Sequence, residues 1–290
     1  MLEEIISQPE TWTKAAGHID QVNELFEESG GPMCLVGCGT SYFVAGALAK
    51  MREARGLGIS DPFQASEIPL ERRYPWVLFI TRSGTTSEIA RALSSFKGRA
   101  RTMLITANSS SPMLKVCNRS LVVDYCDERS VVQTRFATSV IMTMRKYLGE
   151  DVDLVVERAR QITEEDISNI IDPKNRIVFL GHDWAFFVAQ EAQLKMTECA
   201  GVQCVAYSSF EFRHGPMSSI GPGTVVWMIG PDQAGVVGEI RQTGAQVIGG
   251  DLDPVLELIK VQLSAEYLAR LAGRDPDCPP YLTRSVILDS

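Results

Sequence analysis

Short β-branched and aromatic runs alternate along this chain with longer helical patterns, and that alternation limits what it can fold into. The strand candidates are Met33–Val36, Trp76–Thr81, Thr102–Thr106, Leu121–Asp124, Arg176–Leu180, Cys204–Tyr207, Thr224–Ile229 and Gln246–Ile248. Between them lie helical patterns at Ser41–Arg55, Thr86–Phe96, Phe136–Leu148, Ala185–Cys199 and Pro254–Ala272. Strand and helix in turn are the signature of the α/β class, with parallel sheets flanked by helices on both faces. A lead-in helix is expected over Thr11–Ser29 and a polar connecting helix over Asp151–Ile171.

The pattern also occurs twice. PMCLVGCGTSYFVAGALAK (32–50) and NRIVFLGHDWAFFVAQEAQLK (175–195) share a plan of buried strand, glycine-containing turn and helix. Each is followed by a second strand ending in a turn, WVLFITRSGTTSEIARAL and VVWMIGPDQAGVVGEI. Two closely packed halves are therefore expected. The first is 1–150 with the lead-in helix; the second is 151–290 with the connecting helix and a C-terminal tail.

Composition removes several classes of function. A net charge of −8 without any basic run argues against nucleic acid or an anionic membrane as partner. No apolar window is long enough to span a bilayer, and the acidic start MLEEIISQPETW does not resemble a signal peptide. Seven scattered cysteines form no CxxC pair, and the three histidines cluster with none of them. That pattern fits reduced thiols in a cytoplasm, with no metal site and no cofactor.

The turn TRSGTT (81–86) joins a buried strand to a helix. A helix N-terminus presents unpaired N–H groups and a positive dipole end, Gly84 allows close backbone approach, and hydroxyls and Arg82 add donors. This inventory suits a phosphate dianion, although a hydroxyl ahead of Glu88 also makes a plausible capping box. GCGTS (37–41) is a second turn of this kind. Neither a dinucleotide fingerprint nor a nucleotide P-loop is present, which points to a small phosphate compound.

Glu191, Lys195 and Glu198 follow at spacings of four and three and share one helical stripe. Such a stripe is either a solvated ion pair or, on a helix as apolar as this one, the wall of a pocket. His214 in EFRHGP is a loop imidazole able to shuttle protons. His18 reads as a solvated side chain, and His182 as a cap or pocket residue.

Together these pieces resemble the sugar isomerase (SIS) family, nearest the isomerase half of glucosamine-6-phosphate synthase and its stand-alone deaminase, isomerase and deglycase cousins. CGTSY (38–42), TRSGTT (81–86), ERSVVQT (128–134), EAQLKMTE (191–198), EFRHGP (211–216) and DPDCPPYLTRSVIL (275–288) carry the resemblance in one order across nearly the whole chain. It implies two SIS-type αβα subdomains and a sugar phosphate as ligand. Phosphate would be bound by Ser41, Thr81, Arg82, Ser83 and Thr86. Glu198 would shuttle a proton between C1 and C2, and His214 would open the ring, in a homodimer from the partner subunit. Thr40, Val131, Glu191, Lys195 and Arg284 would support them.

Three departures from the family pattern narrow the activity. Arg284 replaces the tail lysine that forms an imine in the synthase, and arginine cannot form one. Arg82 and Thr85 make the phosphate loop more basic. No glutaminase segment precedes these motifs in this sequence, so no built-in ammonia source is expected. The resemblance thus implies an aminosugar-phosphate deaminase/isomerase, with glucosamine 6-phosphate as leading substrate. A fructosamine-6-phosphate deglycase, a phosphosugar aldose–ketose isomerase and a non-catalytic sugar-phosphate sensor are the alternatives.

Overall fold

Two all-parallel sheets organise the computed structural model, which describes residues 1–167 and 170–288. Helices α1 (Leu2–Ile6), α2 (Gln8–Ala16) and α3 (Ile19–Phe26) lead into β1 (Met33–Gly37), α4 (Thr40–Ala54) and β2 (Ser60–Gln64). Then come β3 (Trp76–Ile80), α5 (Ser87–Ser95), β4 (Arg101–Thr106), β5 (Arg119–Val122), α6 (Arg135–Tyr147) and α7 (Asp153–Ile162). The second half comprises β6 (Arg176–Gly181), α8 (Trp184–Lys195), β7 (Cys204–Ser208), β8 (Thr224–Ile229), α9 (Val237–Gln242), β9 (Gln246–Gly249) and α10 (Pro254–Leu271). The strand orders are β2-β1-β3-β4-β5 and β7-β6-β8-β9, so the expected α/β class with helix-flanked parallel sheets is the one observed.

Each sheet is apolar on both faces because successive side chains of a strand point oppositely. Leu35, Leu78, Ile80 and Ile105 face inward and share one core with Phe179, Trp227 and Ile229 of the second sheet. On the outer faces, Val36, Val77 and Phe79 pack with Ile89 of α5, while Leu180, Val226 and Met228 pack with Ile240 of α9. Helices α4, α6, α8 and α10 fill the space between the sheets and contribute to the shared core.

Some elements depart from expectation for local reasons. The lead-in helix expected over Thr11–Ser29 is instead the end of α2 followed by α3, broken around Gly17 and His18, and α1 with the start of α2 precedes that span. The connecting helix is shorter, Asp153–Ile162, and residues 168–169 of the expected span lie outside the described residues. Strand β2 was not expected because SDPFQ contains Asp61 and Pro62, but it is an edge strand, where proline is tolerated. The short α9, rich in glycine nearby, was also unforeseen.

The duplicated plan is explicit in the backbone. A Cβ on Gly37 would lie 2.3 Å from the Ser41 carbonyl, and one on Gly181 would lie 2.3 Å from the Ala185 carbonyl oxygen. Both strands can therefore turn tightly into α4 and α8. The residues before those helices match as well: Gly39 has φ 52° and ψ −127°, Asp183 φ 54° and ψ −126°. Glycine adopts this conformation freely, whereas aspartate is strained in it. The two helices then pack together where Gly46 of α4 meets the Phe187 ring of α8. A Cβ on Gly46 would fall 2.2 Å from that ring.

Two substitutions test this account. Asp183→Gly should stabilise the protein by about 1 kcal/mol, as relief of backbone strain exceeds the added freedom of the unfolded chain. Gly46→Ala should destabilise by about 1–2 kcal/mol, because overpacking outweighs alanine's better helix propensity. Denaturant unfolding checks both, and opposite signs would sink this reading of the two turns.

Candidate active site

In the first sheet, β1 is flanked by β2 on one side and β3 on the other, so the chain leaves β1 and β3 in opposite directions. A crevice opens at such a switch point, beyond the carboxyl ends of the strands. The turns after β1 and β3 lie at this switch point. Thr40, Ser41, Thr81 and Ser83 are buried there, and Thr86 is partly buried. Gly84 has φ +62°, and a Cβ on it would lie 2.4 Å from Ser111 Oγ. Ser111 Oγ donates to the Gly84 carbonyl at 2.6 Å, and Asn108 Nδ2 donates to the Ser83 carbonyl at 2.7 Å. Thr86 precedes α5, yet its hydroxyl makes no capping bond to the helix. It lies instead 3.4 Å from Ser83 Oγ, so hydroxyls gather at this helix end without being used to cap it.

Arg82 has a different position from the one expected of a phosphate ligand. Its guanidinium is buried and pairs with Glu128 at 3.0 Å, while donating to the carbonyls of Ser130 at 3.0 Å and Val131 at 2.8 Å. A buried carboxylate needs a partner, and here that need takes the arginine away from the turn's hydroxyls. Glu128 also accepts from the Thr134 hydroxyl at 2.9 Å. Arg82 thus fastens the 128–134 turn, with Val131, against the hydroxyl-rich turn. Arg284 serves the tail in a similar way, pairing with the Asp127 carboxylate and donating to the Glu128 carbonyl.

The ionisable stripe is brought together. Lys195 Nζ lies 3.3 Å from Glu191 and 2.6 Å from Glu198. Glu191 and Lys195 are buried, while the Glu198 side chain keeps 21% exposure. Helix α8 ends at Lys195, and Met196–Ala200 form a π-helical turn carrying Glu198, a local irregularity common at functional sites. Gly201 stops this turn in the left-handed conformation at φ 68°.

Thr40 ties the stripe to the first half. Its hydroxyl lies 3.2 Å from Glu191 Oε1 and 3.1 Å from Lys195 Nζ. Ser41, the next residue, sits at the start of the same helix. Burial raises the Glu191 carboxyl to about 7 against the pull of Lys195. Burial presses Lys195 toward neutrality, but Glu191 and Glu198 more than offset this and raise its pKa.

His214 is not brought to that cluster. It is exposed at the end of the 3₁₀ turn Glu211–His214, and among the described residues no hydrogen bond joins it to Glu198. The His182 ring meets that of Phe210 at a tilt, centroids 4.6 Å apart, and His18 stacks on Tyr125 at 4.9 Å, so the latter histidine is less solvated than expected. The equivalent switch point of the second sheet is chemically different. Asp232 accepts from the Val236 and Val237 N–H groups, each at 3.1 Å, so a carboxylate of the chain itself serves the start of α9. Trp184 and Ala185 stand where the first half has Thr40 and Ser41.

The SIS domain family matches residues 170–238, the segment holding the carboxylate–lysine stripe and the histidine turn. Glutamine–fructose-6-phosphate aminotransferase (isomerizing) of Pseudomonas aeruginosa is 26% identical, over all of this chain and 59% of that relative. The chain thus spans somewhat more than half the length of the curated relatives it matches. Among solved structures, glucosamine-6-phosphate deaminase of Thermotoga maritima is similar with a TM-score of 0.76 and 24% identity, covering 97% of this chain and 99% of that one. Tagatose-6-phosphate ketose/aldose isomerase of Escherichia coli has a TM-score of 0.81 and 19% identity, covering 97% and 96%. These likenesses bear out the fold expected from the SIS resemblance. No helix among the described residues is long and apolar enough to cross a membrane.

Sequence reading missed Asn108, Ser111, Glu128 and Ser285. The first two lie in ANSSS (107–111) after β4, whose hydroxyl-rich composition at a strand's carboxyl end was the available signal.

Two outcomes follow from the buried charges. Arg82→Met should cost about 3–5 kcal/mol by leaving Glu128 buried without its partner, and adding Glu128→Gln should recover much of that. Equal losses in the single and double variants would contradict the pairing. The folded chain binds the Glu191 proton more tightly than the unfolded chain does. That contribution to stability is complete below pH 4.5 and lost as pH rises through about 7. Glu191→Gln should therefore flatten the fall of stability across that window in urea titrations; parallel curves would contradict it.

Proposed function

We propose that this protein is an aminosugar-phosphate deaminase/isomerase, with glucosamine 6-phosphate as leading substrate, acting in the cytoplasm as a homodimer. One observation carries the reading. Thr40, at the start of the helix beside the hydroxyl-rich turn, is hydrogen-bonded to the Glu191–Lys195 pair, which holds the partly exposed Glu198 at 2.6 Å. A phosphate held by Ser41, Thr81, Ser83 and Thr86 would lie on one side of this tie. The reacting carbons would lie on the other, near a carboxylate.

The chemistry then needs no enzyme-bound imine, consistent with arginine at 284. His214, contributed by a partner subunit, would open the sugar ring and free the C1 aldehyde. Glu198 would remove the C2 proton, acidified by that carbonyl, and return it to C1 through an enolamine. Water would add to the resulting C2 imine, and loss of ammonia would leave fructose 6-phosphate. A general base in such a step contributes about 10²–10⁴-fold, and remote phosphate binding sets C1 and C2 at the carboxylate. Lys195, fixed by Glu191, would hold the orientation of Glu198.

Ammonia should appear when purified protein is given glucosamine 6-phosphate. Glu198→Gln should reduce turnover by at least about 100-fold while leaving sugar-phosphate binding within about threefold. Retained turnover in that variant would remove Glu198 from the mechanism. An amino acid released from fructoselysine 6-phosphate would assign a deglycase instead, and ketose–aldose interconversion without ammonia an isomerase.

A further inference from the structure

The C-terminal tail, beyond the anchoring Arg284, runs back across the molecule onto the hydroxyl-rich turn of the first half. There it takes up the donors that an anion would use. Ser83 Oγ donates to Ser285 Oγ at 3.2 Å, Thr85 Oγ1 donates to it at 3.0 Å, and Thr86 Oγ1 lies 3.4 Å away. The first N–H of α5, that of Ser87, donates to the Val286 carbonyl at 3.1 Å. The Leu288 N–H in turn donates to Ser87 Oγ at 3.0 Å. Two tail oxygens thus accept from two hydroxyls and a helix N-terminal amide, the set of donors that suits a phosphate at such a position. Ser83 is buried beneath this cover.

We propose that residues 285–288 are an internal plug of the phosphate site, which a sugar phosphate must displace in order to bind. The inference rests on the reading of residues 81–86 as the phosphate site. A hydroxyl and a carbonyl are neutral acceptors, weaker than phosphate oxygens, so the ligand wins the competition. The plug lowers the apparent affinity by the fraction of molecules in which it is closed, because only the open form is competent to bind. It also rejects weak anions, which cannot outcompete the tail. Arg284, held by Asp127 and the Glu128 carbonyl, keeps the tail near when the plug is out.

Calorimetric titration of the full chain with fructose 6-phosphate and with inorganic phosphate tests this. Ser285→Ala and a chain ending at Arg284 should bind fructose 6-phosphate about three- to tenfold more tightly than the wild type. They should also gain measurable affinity for inorganic phosphate. In the wild type, fructose 6-phosphate should speed tryptic cleavage after Arg284, read by mass spectrometry as release of residues 285–290. Unchanged or weaker binding in both tail variants overturns the plug. So does protection of the Arg284 site by ligand, because the tail would then hold the ligand rather than yield to it. Ser83→Ala separates the two readings. If it binds as tightly as the wild type, or if no variant binds either probe, the phosphate site is elsewhere and the plug falls with it. If it alone weakens binding while the tail variants do not tighten it, only the plug falls.

Discussion

The structure depends on an ammonium ion that has no access to water. A buried lysine is tolerable only where carboxylates and hydrogen bonds replace its hydration. Lys195 obtains this from Glu191 and Glu198 on its own helical stripe and from Thr40 in the other half of the chain. The halves must therefore meet at α4 and α8 for the charge to be satisfied, and Gly46 removes the side chain that would keep those helices apart. The arrangement that stabilises the charge also fixes Glu198 relative to the hydroxyl-rich turn. Packing and candidate chemistry rest on the same contacts.

A duplicated plan has been put to two uses. Both halves make the same tight turn from strand to helix, down to matching dihedral angles at Gly39 and Asp183. In the first half the hydroxyls at the switch point meet the neutral Ser285 hydroxyl of the tail, whereas the second fills the corresponding helix start with the Asp232 carboxylate. The second half instead supplies the carboxylate–lysine stripe and presents His214 at the surface.

The stripe was legible in the sequence because helical spacing is local: residues four and three apart must share a face whatever surrounds them. The strands were equally legible, since continuous apolar runs buried on both faces have few alternatives. Edge strand β2 was not, because its proline and aspartate carry no strand signal and only pairing with β1 makes it one. Arg82 shows the limit more sharply. Its neighbours in sequence are hydroxyls, which suggests an anion, but its partner Glu128 lies on a turn that only the folded sheet brings close.

By itself the sequence determined the α/β class, the two halves, the glycine-dependent turns and the stripe of Glu191, Lys195 and Glu198. Each follows from periodicity or from the steric needs of one short segment. The tertiary structure alone decided that Thr40 joins that stripe, that Arg82 is turned to Glu128, and that Ser285 comes to rest among the hydroxyls of residues 83–86. Those contacts join residues far apart in the chain. Their existence depends on which buried charges and unpaired donors are left to be satisfied once the sheets have packed, and no local pattern records that.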